Sequence, residues 1–143
     1  MADTDIEPFT AQQMEKLQAA LGKVAFAQLL GIELLAAHKG SATLRLEITD
    51  SLRQVDGLMH GGATAALIDT ATAFAILPFM ESSEHFTTVE LAVNYLRPLV
   101  KGWATVEARV LRAGRRLMTV AADVRDDDGK LAATALSTYL RFV

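Results

Sequence analysis

The chain has no cysteine. Disulfides, thiolate nucleophiles and sulfur-ligated metals are therefore excluded, and the composition fits a reducing cytoplasm. Positive charge is not in surplus: 14 Lys and Arg stand against 17 Asp and Glu, a formal net charge of -3. Nucleic-acid binding usually needs a basic face, so the charge gives no reason to expect that partner. His38 and His85 fall at the edges of expected strands, too scattered to suggest a metal site. The opening "MADTDIEPFTAQQMEK" is acidic and lacks the basic-then-apolar order of a secretory leader. The longest apolar run, Ala63 to Met80, falls short of the roughly 20 residues a span requires and holds Asp69 and Pro78. The expectation is a soluble, cytoplasmic protein with no membrane span. No repeat, linker or low-complexity segment interrupts the chain.

What is present is a globular composition, 51% apolar and 22% charged over 143 residues, which suits one domain with one core. Thr10 followed three residues later by Gln13 matches a capping box, and Met14, Leu17 and Leu21 then share a helical face. This predicts a helix from about Ala11 to Leu21, then a short apolar turn, "VAFAQLLG", closing at Gly31. "IELLAAHKG" reads as a strand entering a turn. In "ATLRLEIT", Ala42, Leu44, Leu46 and Ile48 alternate with polar residues, the period of a half-buried strand. "DSLRQVDGLM" reads as a loop, and Gly61 to about Leu77 as the one long helix. Thereafter the period is two: Val89, Leu91, Val93 and Tyr95; Ala104, Val106, Ala108 and Val110; Met118, Val120, Ala122 and Val124. "DDDGK" is a hairpin turn with Gly129 at the left-handed position, and "LAATALSTYLRFV" is the last strand. Helix, two strands, central helix and four strands with short connections predict an α+β fold, one helix against one antiparallel sheet. Trp103, Tyr95 and Tyr139 are read as packing residues.

The central stretch "LMHGGATAALIDTATAFAILPFM" carries the chemistry. Asp69 is its only charge from Ala63 to Met80, flanked by Leu67, Ile68, Phe74, Ile76 and Leu77. Burying such a carboxylate without a partner costs several kcal/mol, and with these neighbours a wholly solvated face is not expected. Gly61 and Gly62 open the helix, where backbone N–H groups lack intrahelical acceptors and the helix dipole is positive. Without side chains, a ligand carbonyl can approach them closely. Asp69 follows Gly61 by eight residues, about 12 Å along a helix. Within one chain they cannot act on one carbon; either they act separately, or a second copy brings them together across a two-fold axis. An oxyanion site plus a carboxylate suits thioester hydrolysis, because a thiol with a pKa of about 8.5 leaves as thiolate without strong acid help.

"GLMHGGATAALIDTA", "VELAVNYLRP" and "GRRLMTVAADVRDDDGKLAATALSTYL" together resemble the hotdog-fold acyl-CoA thioesterases. The resemblance is to the phenylacetate-degradation branch of the 4-hydroxybenzoyl-CoA thioesterase superfamily and runs from about Leu30 to the C-terminus. It implies a long central helix wrapped by a curved antiparallel sheet of about five to six strands, with residues 1–30 as an N-terminal helical extension of a single domain over residues 1–143. It implies homodimers joined edge to edge, often paired into tetramers, with active sites at the dimer interface. Asp69 is then the general base or nucleophile, and the Gly61 N–H of the other subunit is the oxyanion donor. His60 orients the loop and borders the thioester, Gln54 contacts the thioester or the attacking water, and Thr88 stands near the carboxylate. Gly62, Asn94 of the N-Y-x-x-P motif, Arg115 and Arg116 are implied contacts for substrate or CoA. No metal and no resident cofactor are implied; the CoA thioester is the substrate.

Two other functions fit the same fold. A hydratase or dehydratase pairs His with a carboxylate, but no close Asp–His pair shares a loop and no Glu lies in the central helix. A non-catalytic acyl-CoA binder or regulator is the other, and a DNA-binding version would need an appended helix pair longer than the N-terminal region allows.

Overall fold

Thr10 begins the described fold as the sequence predicts. Its Oγ1 accepts from the Gln13 N–H at 3.2 Å and its own N–H donates to Gln13 Oε1 at 2.8 Å, so both halves of the capping box start helix α1 (Ala11–Gly22). The computed structural model describes residues 7–143; Met1 to Ile6 of the expected extension lie outside the described residues. The "VAFAQLLG" stretch is a helix rather than a turn, α2 (Ala25–Leu30), closed by Gly31 at φ 77°. The left-handed backbone there is one that glycine adopts without steric cost. The extension thus carries two helices; α1 buries Leu17 and Leu21 and α2 buries Ala27.

Strands β1 (Glu33–His38) and β2 (Ser41–Glu47) pair as a hairpin. The long helix α3 spans Gly61–Ile76 and runs into a 3-10 turn, Leu77–Phe79. Four strands follow: β3 (His85–Tyr95), β4 (Trp103–Ala113), β5 (Leu117–Arg125) and β6 (Leu131–Phe142). All pairings are antiparallel, in the order β1-β2-β4-β5-β6-β3. Helix α3 packs chiefly against β4, β2 and β5. Leu67, Ile68, Ala71 and Ala75 are sealed there with Leu44, Leu46, Val106, Met118, Val120 and Val124. Burying a large aliphatic side chain contributes about 1.5–3 kcal/mol, so this layer anchors the helix. By length and hydropathy alone, Gly61–Phe79 is long and apolar enough to cross a membrane, contrary to the sequence reading of this run as too short; half of it is buried inside this fold.

The sheet curves around α3 by means of bulges. Pairing shifts between Leu34 and Ala36, between Thr88 and Glu90, and between Val110 and Arg112. Each leaves one extra apolar residue facing outward: Leu35, Val89 and Leu111. The second shift corrects the sequence-based alternation. Leu91 and Val93 face the helix layer as predicted, but Val89 is 54% exposed, because the extra residue reverses the phase. Phe86 and Thr88 turn toward the core instead. Strand β3 is also an edge: it pairs only with β6, so one side of an 11-residue strand is unpartnered among the described residues. Such an edge is a ready template for another strand.

Candidate active site

Asp69 lies half-buried on the face of α3 nearest β3 and β6. Thr88 Oγ1 donates to its Oδ1 at 2.8 Å. Tyr139 Oη lies 3.3 Å from the same oxygen and donates to the Asp69 backbone carbonyl at 2.9 Å. Thr88 and Tyr139 are register partners on β3 and β6, so neighbouring strands deliver two hydroxyls to one carboxylate. Without the β3 bulge, Thr88 would face away from the helix. Among the described residues Asp69 Oδ2 has no donor, and it is not sealed from solvent. The carboxylate therefore has one held oxygen and one open one.

Tyr139 is 1% exposed, and its ring meets Phe86 edge-on at 5.7 Å. Its hydroxyl is also 2.7 Å from Thr72 Oγ1. Burial pushes the Tyr139 hydroxyl up from 10.0 to about 12; the bond to Thr72 opposes this and the charge of Asp69 adds to it. The sequence reading assigned Tyr139 to packing. A buried tyrosine hydroxyl needs a partner, and that requirement was the available signal.

The start of α3 forms a second group. His60 is the N-cap, and its Nδ1 accepts the Gly62 N–H at 2.8 Å. That acceptor nitrogen must be unprotonated, so a neutral His60 carries its proton on Nε2. The N–H groups of Ala63 and Thr64 reach the His60 carbonyl at 2.9 and 3.4 Å. Of the first four helical residues, only Gly61 has an N–H without an acceptor among the described residues. Gly62, expected to contact substrate, already has its N–H occupied, and a side chain there would meet His60 Nδ1 at 2.9 Å. Tyr95, also read as packing, is 54% exposed and donates from its hydroxyl to the Gly61 carbonyl at 2.7 Å.

Gly61, Gln54, Tyr95 and Arg97 line a hollow of about 320 Å³ floored by Met59, Leu99 and Ala132. Gln54 Oε1 accepts the Asp56 N–H, and its amide nitrogen has no acceptor among the described residues, so it is free to meet a ligand. The structure thus brings together Gln54 and Gly61 at one hollow, and Asp69 and Thr88 at another place, while the His60 and Gly62 expected beside the thioester line a separate hollow with Phe26, Leu52 and Ala66. Asn94 joins neither: it pairs with Thr134 and is exposed, and alternation from Tyr95 puts it on the sheet face away from α3. Arg115 and Arg116 are exposed in the β4–β5 turn. The Arg116 carbonyl accepts from the Arg141 N–H at 2.7 Å, which places them at the Thr88–Tyr139 end of the sheet, away from Gly61.

The family model described as "Thioesterase superfamily" matches residues 56–133. The chain is 28% identical to human acyl-coenzyme A thioesterase 13, over 89% of this chain and 93% of that one. It is 27% identical to 1,4-dihydroxy-2-naphthoyl-CoA hydrolase of Listeria monocytogenes, over 76% and 89% respectively. Among solved structures, a phenylacetic acid degradation-related protein of Ralstonia eutropha is 29% identical with a TM-score of 0.81, covering 89% of this chain and 97% of its own.

Proposed function

Since the chain belongs to the thioesterase superfamily and is a thioester hydrolase of the hotdog fold, we propose that it cleaves acyl-CoA thioesters at a site built by two copies of the chain. One observation carries this reading: the two groups on α3 are matched by two points on the free β3 edge. Thr88 holds Asp69 and Tyr95 holds Gly61. These strand positions are seven residues apart in sequence, but Val89 is the extra residue of the bulge, so six regular steps, about 20 Å, separate them. The middle of those six steps is Ala92, and pairing about it keeps inward residues opposite inward residues. Antiparallel pairing of two β3 edges about that point sets Thr88 of one copy opposite Tyr95 of the other. Asp69 of one protomer then faces the Gly61 N–H of its partner, which removes the 12 Å separation within a single helix.

In this site the thioester oxygen accepts the Gly61 N–H, with Gln54 alongside. Asp69, through its open Oδ2, takes the proton of an attacking water or attacks the carbonyl carbon itself. The new carbon–oxygen bond makes a tetrahedral oxyanion; as its carbonyl re-forms, the carbon–sulfur bond breaks and CoA leaves as thiolate, which the low pKa of thiols favours. Where Asp69 is the nucleophile, a water then hydrolyses the anhydride to release the acid and the carboxylate. His60 holds the helix start by its cap on Gly62. Arg115 and Arg116, exposed at the Asp69 end, are the contacts proposed for the CoA phosphates. The two named relatives, a CoA hydrolase of an aromatic acid and an acyl-CoA thioesterase, support a CoA ester as substrate.

The test is thiol release from a panel of aromatic and aliphatic acyl-CoA esters by the native protein and by Asp69→Ala. The variant is expected to lose about 100-fold or more in kcat. Turnover in Asp69→Ala equal to the native rate removes Asp69 from the chemistry. Tight CoA binding without turnover on any ester makes the protein a binder.

A further inference from the structure

We propose that Tyr139 is a positioning residue for Asp69, a buried hydroxyl that fixes the carboxylate so that Oδ2 alone is presented to the reacting carbon. The inference rests on the reading of Asp69 as the reactive carboxylate. It adds a residue from β6 to those that α3 and β3 supply.

The geometry is that of a relay anchored in the core. A carboxylate only accepts, so Thr88 donates to Oδ1. Tyr139 has one proton and two acceptors on the same residue, the Asp69 carbonyl at 2.9 Å and Oδ1 at 3.3 Å. With that proton given to Asp69, the 2.7 Å contact takes its proton from Thr72, whose other acceptors are the Ile68 and Asp69 carbonyls at 3.0 and 3.1 Å. The chain of bonds runs Thr72 to Tyr139 to Asp69, and each link polarises the next. Thr72 is fully buried, and the Tyr139 ring is wedged against Phe86, so the relay cannot swing.

The consequence concerns direction. A carboxylate held by Thr88 alone could still turn about its terminal torsion, which is broad. With a second hydroxyl on the same oxygen and on the residue's own carbonyl, turning breaks contacts to two strands at once. Oδ2 then keeps one heading, the condition for a near-attack geometry. Tyr139 itself is sealed and touches no substrate, so its effect is transmitted through Asp69.

Tyr139→Phe keeps the ring and its contact with Phe86 while deleting the hydroxyl. It is expected to lower kcat by about 10-fold to 100-fold, the range for a hydrogen bond to a charged group, with KM within about twofold. In an Asp69→Ala background the same change is expected to alter the residual rate by less than about twofold. An unchanged kcat in Tyr139→Phe, or an equal fractional loss in both backgrounds, overturns the positioning role while leaving Asp69 in place. Native-like turnover in Asp69→Ala is a different failure, since it removes the reading on which this one stands. If Tyr139→Phe does not fold, the coupling is read from the other side. In Tyr95→Phe, where Tyr139 is the remaining tyrosine, Asp69→Ala should lower the midpoint of tyrosinate absorbance, and an unmoved midpoint sinks the proposal.

Discussion

Gly61→Pro separates the oxyanion donor from everything else at the head of α3. Proline at the first helical position deletes an N–H that no intrachain acceptor uses, and its fixed φ suits that position. Gly61 is the first residue of α3 and lacks an acceptor. His60 sits at φ -59° and ψ 134°, the extended region that a residue before proline prefers. The steric cost is a Cβ placed 3.3 Å from Tyr95 Cζ, which the exposed Tyr95 ring can relieve by a small shift. Gly61→Ala carries the same Cβ and keeps the N–H, so the ratio of the two variants isolates the hydrogen bond. Removing one oxyanion donor typically costs about 3–4 kcal/mol, so Gly61→Pro should turn over roughly 100-fold to 1,000-fold more slowly than Gly61→Ala. A thiol-reactive dye follows the reaction without background, because the protein has no cysteine. Circular dichroism and thermal unfolding check that both variants fold alike. If folded Gly61→Pro runs within about threefold of Gly61→Ala, the N–H does not hold the oxyanion, since even a weak donor is worth more than that.

Two further predictions test the assembly and the buried tyrosine. Ala92→Glu places a charge directly opposite its own copy, about 5 Å away if two β3 edges pair around Ala92; sedimentation should show dissociation to folded monomers with loss of turnover, and an unchanged assembly refutes that axis. The Tyr139 hydroxyl titrates at about 12 in the fold against 10.0 as a free side chain. A raised acid group contributes stability that is complete below pH 10 and lost as pH rises toward 12. Denaturant titrations should therefore show about 2–3 kcal/mol less stability across that window, a loss that is absent in Tyr139→Phe.

Local chemistry made much of the fold legible. The Thr10–Gln13 pair predicted the start of α1, and both expected partners are made. The apolar run after His60-Gly61-Gly62 predicted α3, ending at Ile76 within one residue of the expected Leu77. Gly129 was read as a left-handed position and sits at φ 78°. Other features were hidden for a physical reason. "VAFAQLLG" is too short for periodicity to separate a helix from a turn. Tyr95 and Tyr139 look like ordinary strand aromatics, because nothing in a strand's own residues reveals where a hydroxyl finds its acceptor. The separate groups around Gly61 and Asp69 followed from helix rise alone. That Asn94 faces the other side of the sheet was not visible until the strand phase was known.

The amino-acid order by itself determined the helices α1 and α3, the strands, and that one carboxylate must be carried in an apolar helix. These follow from interactions within a few residues: caps, periods of 3.6 and 2, and left-handed glycines. Only the tertiary structure decided that Thr88 rather than Val89 faces Asp69. A bulge is a property of two strands pairing out of step, and Thr88 meets Tyr139 across about 50 residues of intervening chain. The same distant pairing brings Tyr139 to the carboxylate and leaves the outer edge of β3 open for a second copy.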